Sequence, residues 1–545
     1  MFSKLLHHVG RTLDFTITPQ LASFSFLFQD SSLNSSRDDL LRFSARRLLS
    51  LPFAYTFFHI SSSPLQVPYT APTFGALTNG LLAEVPSSVL EVSSYAQQYL
   101  SFCSFCSHVI TTTPFMPTTT SREPNSIKPS PIPRAWFLSN LPTDPTHAGG
   151  YLLALGVLEK LAYINSADLK YCISMNKFTS IGIILGYACS SIGLINGSFL
   201  EIINENISRF FLASNNPDKV CSQIFTISLL SFGLIHMSRC LFSASFFLLD
   251  IFHKLNTKYN TQFSIFHSER MTVYLTLALG LGCVYYQGHK ECPLQLRNTL
   301  TNLIFDRDTC LSTTGVVALG LIYSNSNDFS MSQLVNPDLT NLELTEFPCC
   351  SLLFTRCLSS ALICPEKSFD LLRNHVSNLT ADDVISTDCY LSKCSFAQMI
   401  GTLVGCSLSL FNSEYSSELR SVSTFLFKRV LLNSSILPSF ILNSVCLAFA
   451  LNYSTTCSYS ATRLIFRYQT LCQGPDTWMI SSLSLSLVNL GQGKFYLQNV
   501  GFFGGILNLV FYSILLPISS GTGTQHYCPL LMLSSFLLIK CLKTK

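Results

Sequence analysis

From His147 onward, apolar segments containing small residues recur along the chain: Ala148–Leu158, Thr179–Ile192, Gln223–Ile235, Met271–Tyr286, Thr313–Tyr323, Leu352–Ile363, Ala397–Leu410, Leu442–Leu451 and Ile480–Leu490. After most of them comes a polar break and a shorter amphipathic stretch, as in Ser198–Phe211 and Ala244–Lys254. Each unit therefore reads as a helix pair. Equivalent small residues return at regular distances: Gly156 to Gly186 is 30 residues, Gly280 to Gly320 is 40, and Gly320 to Ser360 is 40. Such periods predict an all-α solenoid or closed array built from one supersecondary unit.

In the second unit, Thr179 to Gly193, the small residues Gly182, Gly186, Ser190 and Gly193 keep helical spacing, while Ile181, Ile184, Leu185, Cys189 and Ile192 cover the rest. A helix that is hydrophobic all round has to be buried on every side. Each interior glycine costs about 1 kcal/mol relative to alanine, so its repeated use predicts close helix packing. The candidate structural repeat positions are Gly149, Gly156, Gly182, Gly186, Gly280, Gly282, Gly315, Gly320, Gly401, Gly405, Gly491 and Gly493.

Upstream the texture differs. Residues 1–145 read as an irregular region rich in Pro, Ser and Thr, and the run from Thr111 to Pro133 holds two Thr triplets and six prolines, a linker composition. A short helix is predicted at Asp38–Leu49, where Leu40, Leu41, Ala45, Leu48 and Leu49 keep helical spacing. Lys4, His7, His8, Arg11 and Asp14 interrupt any secretory h-region, and Asp14 argues against a mitochondrial presequence. Two regions result: 1–145, and a repeat array over 146–545 of about nine helix-pair units.

Composition introduces a competing class. The chain of 545 residues is 48% hydrophobic and only 12% charged, with a mean hydropathy of +0.37. Those values, and the uncharged run Phe178–Leu200, suit a polytopic α-helical membrane transporter. Against it, most other apolar cores are short and laced with Ser, Thr and Asn. Trp136 and Trp478 are the only tryptophans, too few for an aromatic belt. With 34 basic and 30 acidic residues and no basic stripe, nucleic-acid binding is not expected. The 21 cysteines are odd in number, scattered and often inside apolar runs, which fits buried free thiols in a reducing compartment.

No chemical motif stands up. Cys103 and Cys106 with His108 form one zinc-like half without a second pair at finger or ribbon spacing. Cys349, Cys350, Cys357 and Cys364 surround a predicted helix and read as core thiols. Gly491-Gln-Gly-Lys494 lacks the upstream glycine and the Ser/Thr of a phosphate-binding loop, and Gly280-Leu-Gly282 lies mid-helix rather than after a strand. Lone histidines such as His236 and His289 read as structural. No cofactor, metal or small-molecule substrate is expected.

The text of the repeats resembles a known family. His147-Ala-Gly-Gly-Tyr-Leu-Leu-Ala-Leu-Gly-Val-Leu and Phe178-Thr-Ser-Ile-Gly-Ile-Ile-Leu-Gly-Tyr-Ala are similar, in wording and separation, to the first two proteasome/cyclosome (PC) repeats of the anaphase-promoting complex's largest scaffold subunits. Ser268 to Val284, Thr309 to Tyr323 and Ala397 to Leu410 resemble later repeats, and Leu483 to Leu497 resembles the family's Gly-x-Gly repeat end. Upstream, Asp38 to Leu49 and Ala135 to Pro142 resemble the approach to the repeats. The third repeat departs from the pattern, with Leu229 and Ser231 where the family favours glycine, and no text here matches the family's β-propeller. The resemblance implies an α–α toroid of two concentric helical layers. It also implies a non-catalytic scaffold of a cullin–RING ubiquitin ligase acting in mitosis and cell division. Implied partners are the cullin–RING module and the tetratricopeptide-repeat lobe, without nucleic acid or membrane, in nucleus and cytoplasm.

Overall fold

The computed structural model describes residues 140–161, 164–194, 196–212, 219–261, 267–336, 350–378, 390–432, 437–471, 475–490, 495–499, 501–519 and 536–544, with short pieces between 98 and 110. The predicted helix Asp38–Leu49 and the run Thr111–Pro133 lie outside the described residues.

The helices begin where the sequence supplies caps. Helix α1 (Pro145–Val157) has Pro145 in its first turn and the Asp144 carboxylate accepting from the His147 N–H at 3.0 Å. After α2 (Ser166–Met175), Asn176 and Thr179 form a reciprocal capping box that starts α3 (Lys177–Ser190). The chain continues through α4 (Gly197–Leu212), α5 (Lys219–Ile235), α6 (Phe242–Thr261), α7 (His267–Val284), α8 (Leu294–Ile304), α9 (Thr309–Ile322) and α10 (Phe329–Val335). Next come α11 (Cys350–Ile363), α12 (Pro365–Asn378), α13 (Tyr390–Leu410), α14 (Ser416–Leu432), α15 (Ser439–Asn452), α16 (Tyr459–Leu471) and α17 (Pro475–Val488). Strand β1 (Phe495–Leu497), α18 (Phe502–Ser519), a 3-10 turn (Phe536–Cys541) and β2 (Leu542–Thr544) end the described chain.

The helices sort into two layers. The odd-numbered helices α1 to α17 pack in succession, each on the next, and each even-numbered helix from α2 to α16 lies against the odd helix that follows it. The nine apolar segments of the sequence are the nine odd helices. Every residue from Phe178 to Cys189 in α3, and from Phe440 to Asn452 in α15, is buried, which explains why these helices carry no polar face. The uncharged run Phe178–Leu200 is not one helix. The α3 helix stops at Ser190, a turn follows, and α4 starts at Gly197. Fourteen residues of helix extend about 21 Å, short of the ~30 Å hydrocarbon core. Among the described residues no helix is long and apolar enough to cross a membrane, which tells against the transporter alternative.

The turns after the odd helices bond to the next unit. The N–H groups of Ser238 and Cys240 donate to the carbonyls of Cys283 and Val284 at the end of α7, at 2.9 and 3.0 Å. Asn325 and Asn327 do the same to Leu362 and Ile363 of α11, and Thr455 and Cys457 to Leu487 and Val488 of α17. All six donors have a left-handed backbone with φ between 51° and 62°. The terminal carbonyls of a buried helix have no partner within the helix, so each turn caps the next unit's end.

Two further features depart from a plain repeat array. Within the stretch expected to be irregular, residues 101–103, 105–107 and 109–110 are helical, because Phe102, Cys103, Cys106 and Ile110 present one apolar face, which is buried. The Phe105 ring stacks on His147 at 4.8 Å. At the other end, α18 lies against α7, α9, α11, α13 and α15. Strands β1 and β2 pair antiparallel, Phe495 opposite Thr544, and the 3-10 turn between α18 and β2 packs on both α18 and α1.

Candidate scaffold core

The α1–α3 seam is built backbone on backbone. A methyl group placed on Gly156 would fall on the backbone of Gly186, and one on Gly182 or Gly149 on the carbonyls of Gly149 or Phe178. One on Gly186 would sit 2.6 Å from the Leu152 carbonyl oxygen. The Ser190 hydroxyl completes the seam, donating to the Gly156 carbonyl at 3.0 Å and accepting from the Leu161 N–H at 3.2 Å.

Other predicted positions have different neighbours. Gly401 and Gly405 press on the Phe354 and Leu358 carbonyls of α11, the latter at 2.5 Å from an added methyl. Gly282 faces Leu321 of α9, and Gly315 faces the Leu300 carbonyl of the second-layer helix α8 at 2.7 Å. Gly320 meets Ser359 of α11 and the Tyr512 hydroxyl of α18 together. Gly280 is not a tight position, because a methyl there would lie 3.5 Å from the Leu229 carbonyl oxygen, an ordinary contact. The close approach between α5 and α7 falls on Gly233, whose methyl would meet the Gly280 Cα at 2.7 Å. The third unit, with Leu229 and Ser231 in place of glycine, thus packs through Gly233. Gly491 and Gly493 lie outside the described residues.

The sequence reading missed α18, the element that ties the most units together. Tyr512 is 1% exposed, and its hydroxyl shares a 2.6 Å hydrogen bond with Ser359 of α11. Gly504 and Gly505 lie under Tyr286 from the end of α7, and Asn508 Nδ2 donates to the Tyr286 hydroxyl at 3.3 Å. Burial pushes the Tyr286 phenol up to about 12. Near the chain end, Lys540 is 6% exposed and reaches Glu159, in the turn after α1, at 3.0 Å. Burial pulls the lysine below its usual range, and Glu159 offsets part of that effect. The available signal was the absence of any Asp, Glu, Lys or Arg between Lys494 and Lys540.

The thiols belong to the packing. Cys103 and Cys106 are buried. Burial, then the neighbouring Cys103 and Cys189, raises the Cys106 thiol well above its usual range. Burial likewise pushes Cys189 and Cys357 up to about 12, so these sulfurs stay protonated and unreactive near neutrality. Among the described residues no group of three or more His, Cys, Asp or Glu side chains is placed to hold a metal ion. His236 is buried with Nδ1 2.9 Å from the Phe232 carbonyl oxygen, a packing role.

These features define a two-layered α-helical repeat protein with a buried helix laid against five of its first-layer helices. Residues 2–192, a span that includes α1, α2 and α3, match the family model of the APC1 fourth domain. The match covers about a third of the chain, and over that span the chain is similar to subunit 1 of the anaphase-promoting complex. No curated protein matches it.

Proposed function

We propose that the chain is a non-catalytic scaffold of the anaphase-promoting complex, joining its cullin–RING module to its tetratricopeptide-repeat lobe in the ubiquitin conjugation pathway of mitosis. The reading divides the chain into a leading region, 1–145, and a PC-repeat toroid of about nine units over 146–545, acting in nucleus and cytoplasm. What carries it is a coincidence over α1 and α3: the repeat text, the family match and the backbone-on-backbone seam fall on the same residues. Closure of the array into a toroid is supported by α18, which lies against five first-layer helices, and by the 3-10 turn, which touches both α18 and α1. A helix of eighteen residues is about 27 Å long. Five helices side by side at 8–10 Å spacing span about 32–40 Å between outer axes, so reaching all of them fits a curved layer better than a flat one.

Affinity purification of the tagged full chain from its own cells, with quantitative mass spectrometry, tests the proposal. The expected result is co-recovery of a cullin–RING pair and tetratricopeptide-repeat subunits, and no ubiquitin transfer by the chain alone. Recovery of proteasomal or transporter-type partners instead would refute it.

A further inference from the structure

The second layer is not uniform in charge. On α4, α6 and α12 most exposed cations have acidic neighbours, Arg209 with Glu205, Lys254 with Asp250, and Arg373 with Asp370 and with Glu418 of α14, while Lys367 of α12 is covered by the Phe329 ring at 3.1 Å. Beyond Glu418 this balance ends. No acidic residue occurs before Asp476, while Arg420, Lys428, Arg429, Arg463 and Arg467 all fall in the interval. Arg420 is occupied in capping α15, its Nε donating to the Asn452 carbonyl at 2.9 Å. The other four lie on α14 and α16.

These two helices are neighbours, since Phe427 of α14 and Tyr468 of α16 place their rings 5.8 Å apart beneath the surface. Their outward faces keep helical spacing. On α14, Ser421, Phe425, Lys428 and Leu432 are exposed, Leu432 at 74%; on α16, Tyr459, Arg463 and Arg467 are exposed, Tyr459 at 65%. Arg429 lies 5.9 Å from the Phe425 ring. Among the described residues Lys428 and Arg463 have no ion-pair partner. The face therefore combines exposed apolar side chains with cations of one sign.

We propose that the outward face of α14 and α16 docks an acidic amphipathic segment of another protein chain. The proposal deepens the scaffold reading by giving one partner contact its chemistry. Charge complementarity calls for carboxylates opposite Lys428 and Arg463, and Leu432, Tyr459 and Phe425 call for apolar side chains beside them. A nucleic acid would satisfy the cations but leave the aliphatic Leu432 uncovered, and a phosphate-tracking site needs a longer basic stripe.

The test uses the full chain in its own cells, with a photo-crosslinking phenylalanine analogue in place of Ser421. The expected product joins the chain to an Asp/Glu-rich segment of a different protein. Its yield should fall about tenfold or more in the double variant Lys428→Glu/Arg463→Glu, because like charges facing each other cost several kcal/mol. The milder Lys428→Gln/Arg463→Gln gives the same reading if charge reversal impairs folding, and Lys254→Glu on α6 should leave the yield unchanged. Adducts with nucleic acid, lipid or an acid-poor segment, no adduct at all, or a yield indifferent to both double variants would overturn the proposal. An acidic partner from outside the ligase would uphold this surface while counting against the scaffold reading, so the two failures are separable.

Discussion

Gly186 and Gly280 occupy similar places in the repeat text, yet alanine at the two should move stability in opposite directions. At Gly186 the added methyl lies 2.6 Å from the Leu152 carbonyl oxygen and 3.2 Å from the Leu153 Cα, all of it backbone of α1. No side chain can turn aside, so α1 and α3 have to part by about 0.8 Å to reach an ordinary 3.4 Å contact. A gap of 0.5–1 Å forfeits about a quarter to a half of the dispersion energy of the atoms it separates. Partial relaxation brings the net cost into the usual overpacking range of about 1–3 kcal/mol. The gain in helix propensity, about 1 kcal/mol, offsets only part. Gly186→Ala should therefore destabilise by up to about 2 kcal/mol, and Gly186→Leu by more. At Gly280 the nearest atoms are the Leu229 carbonyl oxygen at 3.5 Å and Leu248 Cδ1 at 3.6 Å, so the propensity gain stands almost alone. Gly280→Ala should stabilise by about 0.5–1 kcal/mol.

A chain of this length need not unfold in one step, so the assay has to be local. Hydrogen exchange by mass spectrometry, read on peptides from α1 and α3 for the first variant and from α5 and α7 for the second, reports each seam separately. Exchange in α1 should accelerate in Gly186→Ala, and exchange in α7 should slow in Gly280→Ala. If both variants slowed exchange to the same degree, the backbone-on-backbone seam would not exist at α1–α3.

Two further outcomes rest on the other buried contacts. Ser359→Ala or Tyr512→Phe each leaves one buried hydroxyl without its partner and should cost about 1–3 kcal/mol. The pair together should cost less than the sum by at least about 0.5 kcal/mol, and strict additivity in hydrogen exchange of α11 and α18 peptides would show that α18 does not bond to α11 there. For Lys540 and Glu159, removing the half-exposed acid strands a buried cation, whereas removing the lysine leaves Glu159 in water. Glu159→Gln should therefore loosen the C-terminal segment more than Lys540→Met does, as read by hydrogen exchange. Because the folded lysine titrates below its unfolded value of 10.5, the unfolded state binds more protons between the two values. Stability should rise with pH across that window below 10.5 and fall as pH drops back through it, a trend that Lys540→Met should remove.

The first layer was legible because its helices are apolar on all sides and bounded by polar turns, so Thr179–Ile192 and Thr313–Tyr323 fall within a few residues of α3 and α9. Second-layer helices such as α4 and α6 were legible from one-sided amphipathicity. Three things were not. The α18 run has no period, and its partners are distant, with Ser359 153 residues away from Tyr512 and Tyr286 222 residues away from Asn508. Glycine spacing alone could not distinguish Gly280, which has room for a methyl, from Gly233, which has none. The apolar and basic face of α14 and α16 needed the fold, since Phe425 and Arg463 stand on different helices.

How neighbouring units are joined follows from what their turns can donate. In the turns after α5, α9 and α15, left-handed residues carry N–H groups that reach the carbonyl ends of the next first-layer helix, and Gly193 after α3 and Gln287 after α7 reach the Leu234 and Leu321 carbonyls in the same way. After α11 no such turn exists. Cys364 alone separates α11 from α12, and Pro365, the first residue of α12, has no N–H to give. The junction from α11 to α13 instead sets Gly401 and Gly405 directly on the carbonyls of Phe354 and Leu358. Among the described residues the junction from α1 to α3 likewise has no turn-to-carbonyl bond, and four glycines and the Ser190 hydroxyl join the two helices. After α13, Asn452 Nδ2 donates to the Ser407 hydroxyl at 2.9 Å, a side-chain substitute. Close glycine packing carries the coupling from α1 to α3 and from α11 to α13, and between α5 and α7 both means act, since Gly233 meets the Gly280 Cα in a junction that the Ser238 and Cys240 bonds also close. A single register of helices is maintained by two different physical means, separately at some junctions and together at others.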